Sequence, residues 1–328
     1  MHPPLIAIMT PRIFANVSMI PIETFQQLLA PYLLGLAMSA PLYAVSLCQA
    51  IFYFRVYCGD PRYLKYTVSI LIFVDSIRFA FLFHTVYMSF MTLSDALHLV
   101  NRPMTCQEDH IREITLMTVE LLGSFMSCMV KSAYVMRIWR LSNRNKLLAG
   151  VIMFPALCEL GSALVIVAGL IFEATGQGLG LCEFGGPFQT EDGSAILQAL
   201  YQIPRYVQLS ASLASDALIT LSMVYYLKGG LKTRFSGTKS TISWLISYTL
   251  AIGLVTSILS VVSLTLFASR TKEPNFPLIH FIIANVYINS FLASLNWRMG
   301  LRKAGRDSDF LSMQGSFELA SRKEEFTT

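Results

Sequence analysis

Seven apolar runs, each long enough to cross a hydrocarbon layer of about 30 Å, follow one another along this chain of 328 residues. They cover about Pro31–Phe54, Tyr66–Phe90, Ile114–Met136, Leu147–Phe172, Ile203–Leu227, Ile242–Ser269 and Phe276–Trp297. No other feature restricts the fold as much. In lipid every backbone N–H and C=O must find its partner within the protein, so runs of this length close as helices. The expected fold class is an all-α membrane protein, a bundle of seven transmembrane helices. Composition agrees, with a mean hydropathy of +0.55 and only 14% charged residues, against about 25% in soluble domains. The two halves share no repeat, which argues against an inverted-repeat transporter.

The rest of the chain frames that bundle. Residues 1–30 carry Pro3, Pro4, Pro11 and Pro21 and read as an irregular N-terminal segment. The bundle then occupies 31–297, and 298–328 forms a tail. The tail opens on basic Arg298, Arg302 and Lys303, suited to anionic headgroups, and then turns polar and serine-bearing, as disordered segments do.

Basic residues in the short loops set the orientation. On one side stand Arg55, Arg62, Lys65, Arg137, Arg140, Arg144, Lys146, Lys228, Lys232, Arg234, Lys239, Arg298, Arg302, Lys303 and Arg306. On the other stand only Arg12, Arg102, Arg112, Arg205, Arg270 and Lys272. The richer side is expected in the cytosol, with the N-terminus outside and the C-terminus inside. Trp139, Trp244 and Trp297 all fall at cytosolic helix ends, where indole favours the headgroup zone. The net charge of +5 is explained by this asymmetry, so no nucleic-acid partner is expected and membrane lipids are. Cys106 and Cys182 are then the two cysteines on the oxidising face and form the candidate disulfide. Asn16, in Asn16-Val17-Ser18, is the candidate glycosylation site.

Charges inside apolar helices cost about 2.5–3.5 kcal/mol each on insertion scales, so they turn away from lipid. The runs contain Asp75, Arg78, Glu120, Lys131, Glu159 and Asp216, joined by Asn285 and Asn289. With a rise of about 1.5 Å per residue, Arg78, Glu159, Asp216 and Asn285 lie roughly 18 Å from the cytosolic ends. Asp75 and Asn289 come slightly shallower, Lys131 lies nearer 10 Å, and Glu120 lies close to the outer rim. The candidate midplane network is therefore Asp75, Arg78, Glu159, Asp216, Asn285 and Asn289. Asp75 and Arg78 are three apart and able to pair, while depth makes Arg78 the expected partner of Glu159. Such a network is either packing glue, a protonation or cation switch, or part of a conduction route. Gly161, Gly169 and Gly253 are expected where helices pack closely.

Enzyme signatures are missing. The chain has no HExxH, no GxSxG and no lysine in the seventh run. His98, Cys106, Asp109 and His110 read as loop residues rather than metal ligands. Neither catalysis nor a cofactor or metal is expected.

Ser215-Asp216-Ala-Leu-Ile-Thr220, Gly253-Leu-Val-Thr-Ser257 and Val286-Tyr287-Ile-Asn289-Ser-Phe-Leu-Ala-Ser-Leu-Asn296-Trp-Arg298 resemble one C-terminal domain of unknown function. It occurs in a large family of seven-helix membrane proteins from mushroom-forming fungi. Leu42-Tyr43, Gln49, Tyr53-Phe54, Asp60, Leu64-Lys65, Asp75 and the exit Arg137-Ile-Trp139-Arg140-Leu-Ser142 extend the resemblance toward the N-terminus. The resemblance implies a multi-pass protein without an assigned activity and with a receptor-like topology. Rhodopsin-type switch motifs are absent, since the sixth run has no proline and the seventh no NPxxY. The leading expectation is a receptor-like or sensor protein of the plasma membrane. Its candidate loop for a cytosolic signalling partner contains Lys228, Lys232, Arg234 and Lys239. The alternatives are a small transporter or ion- or proton-conducting protein using the midplane carboxylates, and a structural membrane scaffold.

Overall fold

The computed structural model describes residues 22–97, 106–177, 191–231, 253–268 and 276–297, with the turns 57–61 and 142–145, and side chains over a slightly narrower set. Within them the only regular structure is helix. The helices are α1 (Ile22–Val56), α2 (Arg62–Leu97), α3 (Cys106–Leu141), α4 (Lys146–Gln177) and α5 (Glu191–Leu231), then α6 (Gly253–Ala268) and α7 (Phe276–Asn296). The first five are long and apolar enough to cross a membrane, while the described apolar parts of α6 and α7 are shorter.

Local chemistry sets the turns between them. At the end of α3 the Arg144 N–H reaches back to the Trp139 carbonyl at 2.9 Å, closing a Schellman turn through Asn143 at φ 55° and Arg144 at φ 64°. Asparagine tolerates that left-handed region, and Arg144 is held there with its guanidinium over the Trp139 ring at 5.6 Å. Asn145 then caps α4, its Oδ1 accepting from the Leu147 and Leu148 N–H groups at 3.1 and 3.3 Å. Between α1 and α2 the Tyr53 hydroxyl donates to Asp60 Oδ2 at 3.1 Å, and Lys65 donates to the Cys58 carbonyl at 2.5 Å. These two turns share one end of the bundle, because Arg140 lies over the Tyr63 ring at 5.4 Å.

The helix α3 is the axis of the bundle and touches α2, α4, α5 and α7. Over its apolar span 56% of residues are buried, against 22% for the peripheral α1. A core of Tyr53, Val68, Met126, Val130, Ile138, Ile288 and Phe291 runs through the α1–α2–α3–α7 side. Outward faces carry Leu147, Phe154, Leu221 and Tyr225, each at least 67% exposed, whereas Asp75, Arg78, Lys131 and Arg205 are at most 1% exposed. Polar inside and apolar outside is the reverse of a soluble protein. This chain has the make-up of a multi-pass membrane protein.

One close approach is fixed by glycine. A Cβ at Gly253 would collide with Thr220, so α6 crosses α5 there as the small residue suggests. Gly161 and Gly169 behave otherwise, since among the described residues nothing lies within 4 Å of a Cβ built on either. They do not mark the close packing expected of them.

Candidate functional site

Among the described residues the buried charges fall into three clusters rather than one layer. The first joins α1, α2 and α7. Arg78 donates from Nη2 to Asp75 Oδ1 at 2.9 Å, and the same nitrogen donates to Asn285 Oδ1 at 2.5 Å. Its Nη1 reaches the Phe281 carbonyl at 3.4 Å, and the Ser46 hydroxyl lies 3.3 Å from Asp75 Oδ2. Asn289, one turn beyond Asn285, donates to the Leu42 carbonyl of α1 at 2.9 Å, and Asn296 repeats the contact on the Gln49 carbonyl at 2.8 Å. Both pairs advance by seven residues on each helix, the step at which parallel helices regain register.

The second cluster joins α3, α4, α5 and α7 through Lys131. Its ammonium donates to Glu159 Oε2 at 2.5 Å and to Ser212 Oγ at 3.1 Å, and Asp216 Oδ1 lies 3.5 Å away. Tyr287 donates its hydroxyl to Asp216 Oδ2 at 2.5 Å and holds its ring under the ammonium, 5.1 Å from the centroid. Helix α7 serves both clusters because Asn285 and Tyr287 are two residues apart, about 200° around the axis.

The third cluster binds α3 to α5. Arg205 forms an ion pair with Glu120 and donates to Gln208 Oε1 at 3.0 Å, while Gln208 donates to Ser124 at 3.0 Å. Together with the second cluster it makes a continuous seam. Glu120, Ser124, Ser127 and Lys131 descend α3 at spacings of four, three and four, and Arg205, Gln208, Ser212 and Asp216 descend α5 in step. The two polar stripes face each other.

The structure therefore divides the six residues read as one network. Asp75, Arg78, Asn285 and Asn289 stay together, whereas Glu159 and Asp216 gather on Lys131. Arg78 is not the partner of Glu159, because its guanidinium is turned toward α7 and Asp75. Depth along the axis gives no direction around it, and Lys131, expected nearer 10 Å from the cytosolic end, reaches Glu159 and Asp216 with its long side chain. Arg205, counted among the outer-loop charges, is instead buried inside α5 against Glu120. The signal that finds both is the helical spacing of the two stripes. Cys182, Asn16, Lys232, Arg234, Lys239 and His98 lie outside the described residues, whereas Cys106, Asp109 and His110, expected in a loop, fall in the first turns of α3, their side chains outside the described set. Lys228 is exposed near the end of α5.

The second cluster and α7 share a stretch with a known family model. Residues 212–300 match DUF6534, a family of unknown function. No curated protein matches the chain, and no solved structure does. The DUF6534 stretch contributes Ser212, Asp216, Gly253, Asn285, Tyr287, Asn289 and Asn296. Asp75, Arg78, Lys131 and Glu159 come from outside it, so both clusters unite the DUF6534 stretch with the preceding helices.

Proposed function

We propose that this protein is a receptor-like sensor of the plasma membrane, with seven spans, its N-terminus outside and its C-terminus in the cytosol. One observation carries the reading. Lys131 of α3 is held at once by Glu159 of α4 and Asp216 of α5, and Tyr287 of α7 closes on Asp216. Four helices thus depend on a single buried cation. Separating one partner of a buried pair costs about 3–5 kcal/mol, and a ligand with differential affinity of about 5.5 kcal/mol inverts a two-state population. A ligand received at the outer end has the energy needed to shift such a hub. The response would leave through the inner loop, where the sequence places Lys228, Lys232, Arg234 and Lys239, basic residues suited to an acidic cytosolic partner.

Proximity labelling from a tag on the C-terminal tail tests this. Wild type should label cytosolic signalling proteins, and Lys232→Ala with Arg234→Ala should reduce that labelling several-fold at unchanged membrane abundance. Labelling of membrane-lipid enzymes alone would contradict a receptor and favour a scaffold.

A further inference from the structure

The three buried clusters differ in charge. Asp75 with Arg78, and Glu120 with Arg205, each match one carboxylate to one cation. The Lys131 cluster sets one ammonium against two carboxylates, Glu159 and Asp216. All three side chains are at least nine-tenths buried, and a low-dielectric interior does not hold an uncompensated charge without large cost.

We propose that the Lys131 cluster is a proton-binding site, in which Glu159 and Asp216 together carry one proton in the resting protein and the single negative charge left between them pairs with Lys131. The geometry separates the two carboxylates. The ammonium sits 2.5 Å from Glu159 Oε2 and 3.5 Å from Asp216 Oδ1. Asp216 Oδ2 instead accepts from the Tyr287 hydroxyl at 2.5 Å. Among the described residues the groups facing the cluster supply no other compensation. From α3 they are Cys128, Lys131 and Tyr134, from α4 Glu159, from α5 Asp216 and from α7 Tyr287. Helix α6, which crosses α5 at Thr220, contains no titratable residue. A metal cation fits poorly, because the space between the carboxylates is taken by the ammonium and Asp216 Oδ2 by a hydroxyl. This inference holds whether the bundle is a receptor or a scaffold.

Infrared spectroscopy of the purified full chain in lipid nanodiscs tests it. At neutral pH the wild type should show a neutral-carboxyl C=O band equivalent to one group per chain, absent from Asp216→Asn. Thermal unfolding gives the second readout. A folded state that binds one proton more than the unfolded chain loses stability as pH rises, so the wild-type midpoint should fall between neutral and alkaline pH. Asp216→Asn, a mimic of the protonated form, should fold and lack that fall. Combining Asp216→Asn with Glu159→Gln strands Lys131 and should destabilise far more than either change alone. Three results would overturn the proposal: no neutral-carboxyl band in wild type, a band that survives Asp216→Asn, or sodium or potassium raising the midpoint while the band is absent.

Discussion

At the scale of single residues, stability here turns on which cation each buried carboxylate meets. Arg205 shows how much depends on it. It is 1% exposed and paired with Glu120, so Arg205→Ala should destabilise the folded protein by about 3–5 kcal/mol, the cost of stranding a buried charge. Exchanging the pair together, Arg205→Met with Glu120→Gln, should recover most of that loss, since similar volumes without charge avoid the desolvation penalty. Thermal unfolding in detergent decides the matter, and equal losses in the single and double variants would mean that the pair is not coupled. Every one of these charges is visible in the sequence, and one expected partnership, Glu159 with Arg78, differs in the structure. Residue number and rise give height along a helix with fair accuracy. Azimuth in the bundle depends on how seven helices pack, and a long lysine or arginine side chain bridges a difference of a turn. Glu159 was therefore assigned to Arg78, at its own height, although Lys131 reaches it from α3.

At the scale of elements, the periodicity of polar residues carried more information than the polar residues taken singly. The stripe on α3 and its counterpart on α5 repeat at helical spacing, and their alignment makes the α3–α5 contact a polar seam inside an otherwise apolar bundle. The contact of α5 with α6 rests on the opposite device, a missing side chain. Gly253 has no space for a Cβ beside Thr220, and overpacking of this kind costs about 1–3 kcal/mol. Gly253→Val should lower stability by at least that much, and adding Thr220→Ala should restore part of it, as followed by the unfolding midpoint. If Thr220→Ala gives no relief, the two helices do not meet at that point. Glycine identity alone does not locate such crossings, because Gly161 and Gly169 have open space where a side chain would go. What separates them from Gly253 is the neighbouring helix, which no single run of sequence contains.

At the scale of the whole molecule, the apolar runs made the helical architecture legible from the start, and five of them stand as helices of spanning length. The proposed orientation rests on charge bias alone, and Arg205, buried inside α5, does not count among the loop charges. The turn between α1 and α2 offers a direct test. Cys58 is an exposed free thiol in that turn, on the same end of the bundle as Arg140 and the turn into α4, the end that the proposed orientation puts in the cytosol. In a variant retaining Cys58 as its only cysteine, a membrane-impermeant maleimide should label intact cells weakly and permeabilised cells strongly. Asn16→Gln should remove a glycosidase-sensitive mass shift from the wild type, because the opposite end then faces the lumen. Strong labelling of Cys58 in intact cells would reverse the orientation. A reversal would also move Lys228 and its neighbours out of reach of any cytosolic partner, so this measurement comes before any search for one.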